Sequence, residues 1–128
     1  MTDADPLVAP IEGAQHHDLA GVQVDVVPVG EGRVKRAIYP PGHRWTERLG
    51  PVVGTELCEH VHVGFLARGR IEGTYEDGCS FAYEAPAAVE IEAGHDAWVV
   101  GEEAAVLIQF DFEGDTARRF GLRERHGH

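Results

Sequence analysis

The 128-residue sequence lacks the features that mark several large classes of protein. It has only two cysteines, which argues against a disulfide scaffold in a chain long enough to bury its own core. It has 11 basic and 22 acidic side chains, a balance that offers no basic surface to nucleic acid or anionic membranes. No apolar run approaches the roughly 20 residues that span a bilayer, and the first residues do not resemble a signal peptide. We therefore predict a cytoplasmic protein that binds neither nucleic acid nor membranes.

Long amphipathic helices are absent as well, and short alternating segments take their place. Between residues 22 and 112, apolar segments are separated by turn residues at intervals of about eight to twelve residues, a spacing typical of β-sandwiches and β-barrels. We predict an all-β domain over residues 21–113. A flexible arm or edge segment at 1–20 precedes it, and a tail at 114–128 forms a short helix or stays flexible.

Two segments carry more specific expectations. The alternating segment Val22–Val29 contains Pro28 near its end, which indicates an edge strand or the end of a strand. The N-terminal arm together with Val22–Val29 could be lent to a partner as a strand, so we predict a homodimer. Residues 43–49 follow a Pro-Pro-Gly turn and are expected to form a short strand. Such a strand places His43, Trp45 and Glu47 on one face, an arrangement that suits the mouth of a pocket.

Most of the chemistry is concentrated in residues 56–63. If this segment is extended, its period of two places four potential metal ligands on one face: Glu56, Cys58, His60 and His62. Carboxylate, thiolate and imidazole groups bind divalent transition metals, so we predict one such ion, Zn, Fe, Mn or Ni. His43 and His95 are further candidate ligands. The alternative is a solvated polar face or a pair of hydrogen-bonded histidines, with no metal.

Aromatic and cationic side chains supply candidates for contact with a small organic ligand. Three aromatic residues are candidate cavity walls, and an arginine after a glycine turn can pair with a substrate carboxylate or with a surface acid. These ligand-binding candidates are Trp45, Phe65, Trp98 and Arg70.

The strand order and the turn at Gly69 resemble the cupin superfamily of small jelly-roll β-barrels, whose first motif is similar to His-x-His, three or four residues, Glu, six residues, Gly. With that glycine placed on Gly69, His62 stands at the family's glutamate, and Glu56 and Cys58 stand at its two histidines. The second motif, similar to Pro-x-Gly-x-x-His, has Ala97 at the histidine position. The usual four ligands are therefore not carried over with their usual residues.

A closer resemblance is to a group of small bacterial cupin-domain proteins. Their segments are similar to Pro-Gly-x-Arg-Trp-(Ser/Thr)-Glu, Gly-Thr-x-x-Cys, His-x-Gly-(Tyr/Phe)-x-x-x-Gly-Arg and Gly-His-Asp-Ala-Trp-Val-Val-Gly-(Asp/Glu)-Glu. The matching residues are Pro41-Gly42, 44–47, Gly54-Thr55, Cys58, His62, Gly64-Phe65, Gly69-Arg70 and 94–103. The resemblance implies a cupin-type jelly-roll β-barrel and no uniform reaction, and His43 and His60 look like additions to the group's pattern.

Three functions are compatible with these residues, each with a small-molecule ligand inside the barrel. The favoured one is a metal-dependent enzyme that performs oxygenase, isomerase or lyase chemistry on a small oxygenated substrate. The second is a metal-free enzyme in which His62 is the general acid or base, oriented by Glu47 or Glu56. The third is a binding or sensor module that holds its ligand without chemistry.

Overall fold

The computed structural model describes residues 5–127, which form two antiparallel β-sheets and short helices. The strands are β1 Gln15–Leu19, β2 Val22–Val29, β3 Gly32–Tyr39, β4 His62–Arg68, β5 Arg70–Tyr75, β6 Ser80–Glu84, β7 Ala87–Ile91, β8 His95–Val99 and β9 Ala105–Asp111. The helices are α1 Trp45–Arg48, α2 Gly50–Val53 and α3 Thr116–Phe120. The predicted all-β class is confirmed, with a short helix near the C-terminus. Residues 1–4 of the predicted arm and His128 of the predicted tail lie outside the described residues.

The two sheets have the crossed connections of a jelly roll. The larger sheet has the strand order β1-β2-β3-β9-β4-β7, and the smaller one has the order β6-β5-β8. Strand β9 therefore lies between β3 and β4, and each neighbouring pair is antiparallel. Buried side chains from both sheets form one core: Leu66, Ile71, Val89, Ile91, Val99, Ala105 and Leu107.

The alternation of buried and exposed residues fixes which face of each strand points inward. In β7, Val89 and Ile91 are buried while Ala88 and Glu90 are exposed, as the period of two requires. A one-residue slip would bring Glu90 into the core, so the register is strongly specified.

Strand β9 is an exception, because Ala105, Val106 and Leu107 are buried in succession. The N-terminal segment reaches the outer face of the sheet at this end, where Asp5 pairs with Arg68 at 2.6 Å. Arg68 is the β4 residue opposite Val106. Both faces of the sheet are covered there, which explains the continuous apolar run in the sequence.

The structure differs from the prediction at residues 43–49, where Trp45–Arg48 forms the short helix α1 and Arg44 makes an isolated β-bridge to Trp98. Asp96 accepts hydrogen bonds from the backbone N–H of Thr46 at 3.1 Å and from Nε of Arg44 at 2.9 Å. These bonds from a distant part of the chain hold the backbone where the helix begins.

The predicted edge strand is also placed differently. Strand β2 lies between β1 and β3, so Val22–Val29 is not itself an edge strand, whereas β1 of the N-terminal arm is. The larger sheet has β1 at one edge and β7 at the other, and all five residues of β1 are exposed. Among residues 5–127, no helix is long and apolar enough to cross a membrane.

Candidate metal centre and ligand cavity

A cavity of about 250 Å³ lies between the inner faces of the two sheets. Strands of both sheets, helices α1 and α2, and the loop before β4 line it. Seven of the predicted site residues lie on its wall: His43, Trp45, Cys58, His60, His62, His95 and Trp98.

Three of these residues form a compact cluster, which we call the metal-ligand trio: Cys58, His62 and His95. One potential ligand atom from each lies within 4.8 Å of the other two. Sγ of Cys58 is 3.6 Å from Nε2 of His62, and the His62 and His95 rings have centroids 5.1 Å apart. Thiolate and imidazole groups at these separations can bind one metal ion.

Backbone pairing brings the trio together. Cys58 and His95 are opposite each other in an isolated antiparallel bridge, in which the N–H of Cys58 donates to the carbonyl of His95 at 2.7 Å. Directly opposite residues project their side chains to the same face. His62, the first residue of β4, completes the trio from the larger sheet.

The two histidines of the trio are held in defined tautomers. Nδ1–H of His62 donates to Oε1 of Gln109 at 2.6 Å, and Nδ1–H of His95 donates to the backbone carbonyl of Glu92 at 2.7 Å. In each ring, Nε2 therefore retains its lone pair. Metal-binding histidines typically have such a partner on the second nitrogen, because it orients the ring and raises its basicity.

Burial sets the protonation of the trio. It lowers the pKa of His62 to about 3, with a further contribution from the neighbouring His95, and it lowers the pKa of His95 to about 4. Both rings are consequently neutral near pH 7, the form that binds metal. Burial also raises the pKa of Cys58 to about 12, so the thiol keeps its proton until a cation displaces it.

The donor set fits a soft or borderline metal. One thiolate and two imidazoles suit Zn or Fe better than Mn, which favours carboxylate and water ligands. Three protein ligands leave a coordination position for water or substrate, as in catalytic zinc sites. His60 lies beside the trio, with Nδ1 3.9 Å from Sγ of Cys58, but most of its side chain is near the surface.

Four predicted site residues lie outside the cavity. Glu56 is exposed, because residues 56–61 are irregular and do not keep the alternation expected of a strand. Glu47 is exposed on α1, and Arg70 is an exposed residue that pairs with Glu72 at 3.1 Å. Phe65 lies on the outer face of β4, where 43% of its surface is exposed.

The structure also places at the site three polar residues that are not among the sequence candidates. Gln109 has a visible signal, since it is the only polar residue in the apolar run 104–110. Lys35 and Tyr39 line the cavity from β3, where simple alternation would have placed them on one face. Nothing in the sequence identifies the backbone carbonyl of Glu92 as a site group, because every residue has a backbone carbonyl.

This chain is similar in fold to several proteins of known structure. No protein-family model and no curated protein sequence matches the chain. A Cupin 2 conserved barrel domain protein from Salinispora arenicola CNS-205 is 14% identical, with a TM-score of 0.57 over 89% of this chain and 94% of its own. The Schizosaccharomyces pombe Cnp3 cupin domain is 14% identical, with a TM-score of 0.51 over 83% of this chain and 71% of its own.

An enzyme is among the similar structures. Lactobacillus farciminis oxalate decarboxylase, in a formate complex, is 17% identical, with a TM-score of 0.52 over 87% of this chain and 40% of its own. Identities this low show the fold alone. The predicted fold is confirmed: the chain has the cupin-type jelly-roll architecture.

Proposed function

We propose that this protein is a metal-dependent enzyme that acts on a small oxygenated molecule in the cavity by oxygenase, isomerase or lyase chemistry. The metal-ligand trio on the cavity wall is the observation that carries the proposal. A bound Zn or Fe ion would polarise a substrate oxygen or lower the pKa of a bound water. The occurrence of the same fold in an oxalate decarboxylase supports an enzymatic role.

Neighbouring residues orient the side chains of the trio and line the cavity in which the substrate would bind. Gln109 and the Glu92 carbonyl hold the rings of His62 and His95, so that these side chains lose little freedom when they bind a metal. Trp45 and Trp98 provide apolar walls that exclude water from a bound molecule.

Metal analysis tests the proposal. Untagged protein purified without added metal should hold close to one equivalent of Zn or Fe. Cys58→Ser, His62→Ala and His95→Ala should each lose most of it, because two remaining ligands bind a divalent ion weakly. Glu56→Gln should keep the metal, since Glu56 is exposed and outside the trio.

A second cluster provides a matched control for the cysteine. Asp77, Cys79 and His126 also bring potential ligand atoms within 4.8 Å of one another, at a more exposed position. Cys79→Ser should leave the metal content unchanged. Metal that is lost with Cys79→Ser but kept by the three trio variants would contradict the proposal, as would folded wild-type protein that takes up no metal when it is supplied.

A metal-free binding or sensor module is the second candidate, and the largely apolar wall of the cavity favours it. Its ligand affinity should survive chelation, whereas the metal enzyme should lose activity. The metal-free acid–base enzyme has less support. His62 has a pKa of about 3, too low for an efficient base near pH 7, and Glu47 lies outside the cavity.

A further inference from the structure

The cavity has a polar group at each of two ends. At one end, Lys35 lies opposite Gln109 in the pairing of β3 with β9, and Gln109 contacts His62 of the trio. At the other end, the Tyr39 and His43 rings have centroids 5.3 Å apart. Lys35 and Tyr39 are four residue positions apart on an extended strand, a Cα path of about 13 Å.

Strand β8, on the opposite wall of the cavity, runs between the same two ends. It begins with His95 at the trio and ends with Val99, whose N–H donates to the carbonyl of His43 at 2.9 Å. Ala37 on β3 and Ala97 on β8 lie midway, and both line the cavity. A ligand that fills the cavity therefore passes from a polar end, through an apolar middle, to a second polar end.

The end with the trio favours negative charge. The sequence has 22 acidic residues, yet none of the acidic residues described in the structure lines the cavity. Within residues 5–127, Lys35 makes no ion pair. The carboxylate of Asp111, two residues along β9 from Gln109, is occupied by Arg33 and by the hydroxyl of Thr116 at 2.9 Å. A half-buried ammonium group in this position is suited to an anionic oxygen.

The opposite end offers unsatisfied hydrogen-bonding groups. His43 is 5% exposed, and neither of its ring nitrogens has a hydrogen-bond partner in the described part of the chain. The Tyr39 hydroxyl also makes no hydrogen bond to residues 5–127. Buried polar groups are normally paired, and leaving one unpaired costs stability, so His43 is best explained by a polar group of a ligand.

We infer that the ligand of this cavity is a small carboxylic acid with an apolar body and a hydroxyl group at the end remote from the carboxylate. The carboxylate lies at Lys35 and the hydroxyl at His43 and Tyr39. The cavity volume of about 250 Å³ limits the body to a single ring or a short chain. This inference rests on the proposed function, because it assigns the substrate class of the same cavity.

Three matched probes test the two ends separately. They are 4-hydroxyphenylacetate, its neutral amide, and phenylacetate, which lacks the hydroxyl; their dissociation constants are measured by titration calorimetry at constant ionic strength. Wild-type protein should bind 4-hydroxyphenylacetate about tenfold more tightly than the amide, because the amide lacks the charge-assisted bond to Lys35. It should also bind 4-hydroxyphenylacetate several-fold more tightly than phenylacetate.

Two variants should remove these preferences independently. Lys35→Met should bring the acid and the amide to within about twofold of each other while the hydroxyl preference remains. His43→Phe should remove the hydroxyl preference while the acid preference remains. Arg70→Met is the charge control, since it also removes one positive charge but lies outside the cavity, and it should change neither preference.

The outcomes separate this inference from the proposed function. Equal wild-type affinity for acid and amide, absence of binding by all three probes, or an acid preference that persists in Lys35→Met overturns the ligand class. If the wild-type protein holds no metal but shows both preferences, the ligand class stands and the metal-dependent chemistry fails. If it holds metal but shows neither preference, the ligand class fails and the metal centre stands.

Discussion

His43 illustrates, at the scale of single residues, how a ligand cavity costs stability. Its ring is buried, and neither nitrogen has a hydrogen-bond partner among residues 5–127. Burial lowers the pKa of His43, so the ring is neutral at physiological pH and avoids the larger cost of a buried charge. The remaining cost is that of a desolvated donor and acceptor.

Replacing this ring with an apolar one of similar shape should therefore stabilise the protein in the absence of ligand. We expect His43→Phe to increase the free energy of unfolding by about 1 to 3 kcal/mol, the usual penalty of an unsatisfied buried polar group. Chemical denaturation followed by circular dichroism measures the change. His17→Phe, at an exposed position of β1, is the control and should have little effect. A destabilised His43→Phe variant would contradict this explanation.

The sequence identifies each ligand of the trio as a candidate, but it does not show which of the candidates lie together. Cys58, His62 and His95 were each candidates because their side chains bind metals, but local alternation also included Glu56. The structure selects three of them through the bridge between Cys58 and His95, a contact between segments far apart in the chain. A pattern within one segment carries no information about such a contact.

A buried ion pair joins two neighbouring strands at the scale of elements. Asp25 of β2 is directly opposite Arg36 of β3, and their side chains are 2.9 Å apart with almost no exposure. His16 of β1 adds a second contact to Asp25, at 2.7 Å. The pair therefore ties together the three strands at one edge of the larger sheet.

Removing one partner should leave a buried charge without compensation. We expect Asp25→Asn to decrease the free energy of unfolding by about 3 to 5 kcal/mol, because the Arg36 guanidinium keeps its charge. Glu31→Gln, which removes an exposed carboxylate paired with Arg119, is the matched control and should have almost no effect. Denaturant titration measures both variants, and similar losses in the two would refute the role of the pair.

The effect of Asp25→Asn should also depend on pH. Burial alone would raise the pKa of Asp25, but hydrogen bonds from His16 and Arg36 outweigh it and lower the pKa below 3.8. The stabilisation is therefore complete above pH 3.8 and is lost as the pH falls through the folded-state pKa. The difference between wild type and Asp25→Asn should shrink in that acidic range.

The predicted secondary structure differs from the observed one where contacts with distant parts of the chain determine the local conformation. Short apolar segments separated by turn residues predicted the all-β class over residues 21–113, and the alternating segment Val22–Val29 coincides with β2. A strand is predicted within residues 43–49, but Trp45–Arg48 forms the helix α1, since Asp96 binds Thr46 from 50 positions away. A seven-residue segment without a clear period leaves that choice to tertiary contacts.

At the scale of the whole molecule, the homodimer remains a prediction. Two exposed surfaces of the larger sheet are candidates for its interface. The edge strand β1 is exposed along its length. On the outer face of the larger sheet, Phe65 and Phe110 are 43% and 47% exposed. An unpaired strand edge and exposed aromatic side chains are features that protein interfaces commonly cover.

We expect a homodimer by size-exclusion chromatography with light scattering at micromolar concentration. The double variant Phe65→Ser and Phe110→Ser should be monomeric if the outer face forms the interface, whereas Glu102→Gln and Glu103→Gln, in an exposed turn, should not change the mass. A monomeric wild-type protein would rule out the dimer, and a dimeric double variant would move the interface to the β1 edge.

The bridge between Cys58 and His95 also has a consequence for biosynthesis. These residues are separated by 37 positions in the chain, and the four strands β4, β5, β6 and β7 lie between them. During translation, the ribosome releases Cys58 and His62 well before β8 exists, so the early nascent chain offers an incomplete set of donors. The complete trio is therefore available to an ion only after His95 has been synthesised and has paired with Cys58.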